Sequence, residues 1–345
     1  MKRILPLVLL PLLSAAAPSK TVQATVAGYA GTSTLQNFPV LVRISENDVP
    51  GFHYADCAAG GADLSFRDES GNALPYDVDT WDSSGTSLVW VLLPEVAPGG
   101  ETAFTMGWSD PNPPAANPAA VWTGSGHKGV WHMNQTNVVD SSGSGNDGTA
   151  MGGVTRVVGK VGSALSYPNT SSFVSCGSSL PEADLVGGYT IEGWVDLANT
   201  SGKKALFGKS GFVSYRMEGT AVKITTPKVK DYDNVADFIT AANEWHYFSL
   251  SFVPNTGNGA KHYMDGALKA QQTTTGINNQ TGSIEMWLAH NQFGSGESFT
   301  GLIDEYRISP SVRSADWIAA NYAQVATEGF VEFEAPGAAS TIFFY

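Results

Sequence analysis

Phe299-Thr-Gly-Leu-Ile-Asp-Glu-Tyr-Arg-Ile-Ser-Pro310, continued by Ser311-Val-Arg-Ser-Ala-Asp-Trp-Ile-Ala-Ala-Asn-Tyr322, carries the strongest structural signal in this chain. From Gly301 to Ile308 the side chains read as a strand. Leu302, Asp304, Tyr306 and Ile308 would share one face, and Ile303, Glu305 and Arg307 the other. Pro310 stops the strand. Ser314 is placed to cap a short helix, with Asp316 in the first turn where the helix dipole favours an anion. Trp317, Ile318 and Tyr322 make the apolar stripe of that helix. Asp304 falls on the mostly apolar strand face, and a buried carboxylate needs a partner or a metal.

The rest of the composition agrees with strands. The 345 residues suit two domains. The chain is rich in Gly, Ser, Thr and Asn, with 11% aromatic and only 15% charged residues, as in an exported all-β protein with many turns. A net charge of −13, with no basic cluster, disfavours nucleic acid and anionic lipid as partners. Residues 1–17 read as a secretory signal peptide: Lys2 and Arg3, an apolar run from Ile4 to Leu13, then Ser14-Ala-Ala-Ala-Pro18. A cut after Ala16 is favoured, because Pro18 disfavours one after Ala17. The run falls short of the about 20 residues that span a bilayer, and no other apolar run approaches that length. The mature chain is therefore expected to be periplasmic, cell-surface or extracellular, with no transmembrane segment. The two cysteines, Cys57 and Cys176, lie in different halves. An exported chain permits a disulfide between them, and two unpaired buried thiols are the alternative.

The first half supplies closely spaced strands. Thr21 to Tyr29, Asn37 to Ser45, the hairpin around Asp68 to Asn72, the hairpin from Asp79 to Pro94 with Gly85 at its bend, and Thr102 to Trp108 suggest a β-sandwich. The pieces NFPVLVRI, GADLSFRDESGNALPYDVDTWD, SLVWVLLPEV and FTMGWSDP occur in an order that resembles the exported bacterial domain of unknown function 2341, over Gly28 to Pro111. That resemblance implies a β-sandwich over residues 18–110 and no catalytic residues. A stiff proline-rich linker follows at 111–120.

The second half, 121–334, opens with Gly129-Val-Trp-His-Met-Asn134. It continues through Val139-Asp-Ser-Ser-Gly-Ser-Gly-Asn-Asp-Gly-Thr149 and Gly159-Lys-Val-Gly-Ser-Ala-Leu-Ser-Tyr167. Core strands follow at Tyr189 to Asp196 and Glu244 to Phe252, then an Asp265-Gly266 hairpin turn, then the opening stretch. In this order the pieces resemble the laminin-G-like jelly rolls of the concanavalin-A type. The resemblance implies a jelly roll with one or two short helices. Residues 335–345, ending Thr341-Ile-Phe-Phe-Tyr345, lie outside it as a C-terminal tail.

Asp140, Ser142 and Ser144, spaced two apart before Gly145, offer oxygens that can converge on a cation. Position 151 is Met, so this is not an EF-hand. Laminin-G-like domains often hold calcium between such a loop and the Asp of the final strand. By resemblance the ligands would be Asp140, Asn146 and Asp304. The alternative is a metal-free arrangement in which Asp304 accepts hydrogen bonds from the loop. No Glu-x-Asp-x-Glu triplet of the concanavalin-type glycosidases is present. Glu332-Phe-Glu334 offers two same-face acids at the domain's end, read as a solvated face. The six histidines are scattered and read as satisfied or exposed rather than as ligands. Trp90, Trp194, Trp245 and Trp287 sit in alternating strands and read as core, although tryptophans also make sugar-stacking platforms. The expected function is non-catalytic recognition of glycan or a cell-envelope partner by a lectin-like exported protein. A scaffold that binds protein within an envelope assembly is the alternative, and a concanavalin-type glycoside hydrolase a weaker one.

Overall fold

The structure, a computed structural model, describes residues 20–134, 137–178, 180, 184–209, 211–277, 285–291 and 297–334. The signal-peptide reading of 1–17 and the 335–345 tail lie outside the described residues. Within them the chain is all-β, antiparallel, with two α-helices, neither long and apolar enough to cross a membrane.

The first half is built from two small sheets. One runs in the order Glu332–Phe333, Lys20–Thr25, Ala103–Trp108, Ser65–Arg67, and the other Leu35–Ile44, Ser87–Val96, Tyr76–Thr80. The first of these sheets contains a strand from the far end of the sequence. Glu332 and Phe333 pair with Thr25 and Ala24, and the Gly28 N–H donates to Phe330 O. The proline-rich segment is not extended throughout, because helix α1, Pro118–Gly124, begins within it. Asn117 caps α1 by accepting from Ala120 N at 3.1 Å, and Pro118 sits where its missing N–H costs nothing.

The second half is a jelly roll of two sheets. One orders Thr155–Val158, Ser163–Tyr167, Gly301–Ser309, Tyr189–Leu197, Trp245–Phe252, Ala260–Met264, Ala267–Gln272, with Gly129–Trp131 also paired to Gly301–Ser309. The other orders Lys230–Asp231, Ala221–Thr226, Val213–Glu218, Lys203–Lys209, Met286–Leu288, Phe173–Ser175, Gly148–Met151, Asn137–Val138. Their facing side chains form one apolar core that includes Ile191, Phe207, Tyr215, Phe248, Ile303 and Tyr306. The Asp265-Gly266 turn has φ of 50° and 76°, the conformation that this dipeptide tolerates.

Helix α2, Ala315–Ala326, joins the halves. Ser314 caps it by accepting from Trp317 N at 3.1 Å. Asp316 reaches across to accept from Ser33 N at 2.9 Å. Strand Leu35–Ile44 has a free edge, and α2 covers it. The Gln324 side chain accepts from Leu41 N at 2.9 Å and donates to Pro39 O at 3.3 Å, as a neighbouring strand would. Phe38 meets Trp317 edge to face. A second apolar core therefore runs from Phe38, Val40 and Trp90 in the first half through Trp122, Trp194, Tyr247 and Trp317 in the second.

Strand Gly301–Ser309 departs from the alternation expected of it. Glu192 pairs with Arg307 but Trp194 pairs with Asp304, so Glu305 and Tyr306 both stand opposite Gly193. Glu305 has φ of 47°. This β-bulge re-phases the strand. Ile303, Tyr306 and Ile308 enter the jelly-roll core, whereas Asp304, Glu305 and Arg307 turn toward the first half.

Candidate functional site

The bulge delivers charge to the seam between the halves. Strand Tyr76–Thr80 brings Asp77 and Asp79, two acids on one face, and both are buried. His132 follows strand Gly129–Trp131 and is also buried. Its Nδ1 lies 2.7 Å from Glu305 Oε1 and 3.5 Å from Asp79 Oδ2, and its Nε2 lies 3.1 Å from Asp77 Oδ2. Tryptophans fix the two aspartates: Trp122 Nε1 donates to Asp77 at 2.8 Å and Trp90 Nε1 to Asp79 at 3.3 Å. The Asn134 amide donates to the other Asp79 oxygen at 3.1 Å. The Arg307 guanidinium bonds Glu305 at 2.5 Å and lies over the Trp90 and Trp122 rings, 4.2 and 4.6 Å from their centroids.

Burial works against charge on His132, but Glu305 and Asp79 outweigh it and hold its pKa well above the usual histidine value. Burial pushes the Asp79 carboxyl up to about 7. It also lifts Asp304 well above the carboxylate range, helped by the neighbouring Glu305 charge. Burial would raise Glu305 too, but His132 and Arg307 reverse the effect and its pKa falls below the ordinary value. The network extends through Glu192, which accepts from Tyr247 Oη and Asn321 Nδ2, both at 2.8 Å.

The residues expected to bind calcium are not gathered into one donor set. Asp140 Oδ1 accepts from Val130 N and Ser142 N, at 3.0 and 2.9 Å, and Oδ2 from Asn146 N at 3.0 Å. The Asn146 amide donates to Lys128 O, and its carbonyl oxygen is buried without a hydrogen-bond partner among the described residues. Asp304 instead accepts from Val161 N at 2.7 Å, in the 159–162 turn. No hydrogen bond among the described residues joins it to the 140–148 loop. The bulge is the reason, since it takes Asp304 off the core face assumed from alternation. The donors around Asp140 make the loop self-contained, and the three residues do not fit a shared ion.

The outer face of the second jelly-roll sheet carries a different feature. Trp287 is half-buried rather than core, and it stacks on half-buried Phe173 with centroids 4.4 Å apart and planes at 25°. His290 lies 5.2 Å from the Trp287 ring and 5.6 Å from Phe173. Met151, paired with Phe173 and 46% exposed, extends the patch. Trp287 shares a cross-sheet row with Thr149, Ser175, Gly208 and Ser214, so its flanks are small and polar. Glu332 and Glu334 lie at the strand that pairs with Lys20–Thr25, with Glu332 exposed. Asp77 and Asp79 carry no site signal in the sequence, and His132 looks isolated there. The Asp77-Val-Asp79 spacing was visible, but nothing local told that strand's polar face from a solvated one.

Residues 171–319 match the family model of the concanavalin A-like lectin/glucanases superfamily, and residues 60–135 match domain of unknown function 2341. In these two segments the chain is similar to that domain and to the concanavalin A-like domains of the laminin-G type. No curated protein matches it. Among solved structures it is similar to domain 4 of AbnA, an extracellular arabinanase from Geobacillus stearothermophilus in complex with arabinotriose. Identity there is 20% and the TM-score 0.47, covering 57% of this chain and 98% of that one. It is also similar to the binding domain of botulinum neurotoxin DC in complex with rat synaptotagmin II, at 12% identity and TM-score 0.45, covering 58% and 52%. The binding domain of Paraclostridial Mosquitocidal Protein 1 gives 12% and 0.44, covering 57% and 52%. The chain spans about half the length of the toxin domains it matches.

Proposed function

We propose that this is an exported, non-catalytic recognition protein whose jelly roll binds glycan on the Phe173–Trp287 face. The observation that carries the reading is the stacked, half-exposed pair on an open sheet, flanked by small polar residues. An aromatic face of this kind packs on the apolar face of a sugar ring, while the neighbouring hydroxyls remain wet. The acids nearest the patch are engaged by donors. Glu285 accepts from Trp287 Nε1 at 3.0 Å, and Glu297 lies 3.4 Å from the Arg216 guanidinium. Glycoside hydrolysis uses a spaced pair of carboxyl groups, one of them able to give a proton. Acids held by an indole N–H and a guanidinium are poorly suited to that role, which favours binding over turnover.

A glycan array tests the reading. Binding by the wild type, weakened about tenfold in Trp287→Ala as ~1.4 kcal/mol of aromatic contact predicts, supports it. Equal binding by Trp287→Ala and Phe173→Ala moves the site elsewhere, and an empty array sinks the glycan reading. A second reading rests on the seam: the halves share a core and a buried ionic network, as a rigid scaffold binding an envelope protein would need. Retrieval of an envelope protein partner with an empty array favours that reading.

A further inference from the structure

Asp79, His132 and Glu305 come from three separate segments and are all buried. One ligand atom from each lies within 4.8 Å of the other two. His132 Nδ1 stands 2.7 Å from Glu305 Oε1 and 3.5 Å from Asp79 Oδ2. Donors each about 2.0–2.2 Å from one ion stand roughly 3–3.5 Å apart. The His132–Asp79 separation already fits, and the His132–Glu305 hydrogen bond has to open by about half an ångström to admit an ion. The far imidazole nitrogen adds to this. Nε2 lies 3.1 Å from Asp77, itself anchored by Trp122. A metal-bound histidine ordinarily donates its other N–H to a carboxylate, which fixes the tautomer and aims the free nitrogen.

Two further features point to an occupant. Asp304, beside Glu305, keeps Oδ1 buried and without a hydrogen-bond partner among the described residues. A cleft of about 460 Å³ is lined by Asp77, His132, Asn134 and Asp140 among others, and so reaches two residues of the cluster.

We propose that Asp79, His132 and Glu305 bind a divalent transition-metal ion at the seam, with Asp77 orienting the imidazole. One nitrogen and two carboxylates select zinc, manganese or iron(II) over calcium, which takes oxygen ligands. The proposal is independent of glycan binding. Its test is titration of the full chain, stripped by chelator and verified as folded by circular dichroism, with Co²⁺ and then Zn²⁺. The expected result is one Co²⁺ per chain with visible absorption bands, displaced by Zn²⁺. Asp77→Asn, which changes only the orienting group, weakens uptake about 10–100-fold, and Asp79→Asn abolishes it. Failure of the folded wild type to take up Co²⁺, Zn²⁺ or Mn²⁺ overturns the proposal and leaves protons to neutralise the cluster. Unchanged Co²⁺ uptake by folded Asp77→Asn and Asp79→Asn overturns it as well, by placing the ion elsewhere.

Discussion

Arg307, from the last long strand of the jelly roll, lies over Trp90 of the first half, its guanidinium carbon 4.2 Å from the ring centroid. The same group bonds the buried Glu305 carboxylate at 2.5 Å. Removing it leaves that carboxylate uncompensated in the seam. Arg307→Ala is expected to cost about 3–5 kcal/mol in urea unfolding. Arg307→Lys should fall between, because an ammonium lacks the planar stack. A loss within experimental error for Arg307→Ala would mean that the seam is wet and weak.

Two buried histidines set an acid-side dependence. Burial lowers both His127 and His262 to about 4. Each is neutral in the folded chain, whereas in the unfolded chain it takes a proton near 6.5. Between those values the unfolded state binds more protons, so stability rises with pH. This stability is fully present above about 6.5 and is lost as the pH falls toward 4. Asp79, Asp304 and His132, raised in the seam, act in the opposite sense over the same range, so the comparison between wild type and His262→Gln isolates the effect. Between pH 7 and 5 the urea midpoint of wild type should fall relative to that of His262→Gln, and parallel profiles contradict the assignment.

The Asp304 carboxylate works by holding the Val161 N–H. Asp304→Ala leaves that donor unpaired and is expected to cost about 1–3 kcal/mol. Asp304→Asn keeps an acceptor in place and should cost less. Because the Asp140 loop satisfies itself and Asp304 lies outside it, added calcium should leave the thermal melt unchanged. A rise of several degrees with calcium would restore the shared-ion arrangement.

The cysteines lie in different cores and are unbonded, with Cys57 half-buried and Cys176 buried. Burial, reinforced by the charges of Asp63 and Asp56, pushes the Cys57 thiol up to about 12. Both should resist alkylation in the native chain. Denaturation without reductant should then yield two alkyl groups by intact mass, and a result of zero would establish a disulfide.

Much of this fold was legible because it depends on local patterns. The strand at Gly301–Ser309, the Ser314 cap and the Asp265-Gly266 turn all appear where residue order put them. The seam was not legible, because its logic is tertiary. Glu305 at φ 47° inverts the facing of its neighbours, and no residue near it announces a bulge. Asp77, Asp79 and His132 look like surface residues until Trp90 and Trp122, the latter carried by α1, cover them. Trp287 failed in the other direction: its strand pattern suggested core, but its side chain faces out from the sheet.

The pairing of Glu332–Phe333 with Lys20–Thr25 has a consequence for how the chain is made. A sheet whose outer strand is translated about 300 residues after its neighbour cannot close on the ribosome while the jelly roll is still emerging, and such long-range pairing folds slowly. Until then Lys20–Thr25 presents a bare hydrogen-bonding edge to other nascent chains. Aggregation during biogenesis should therefore track the arrival of the final strand, and an internal deletion of residues 330–334 should harm yield far more than its few contacts suggest.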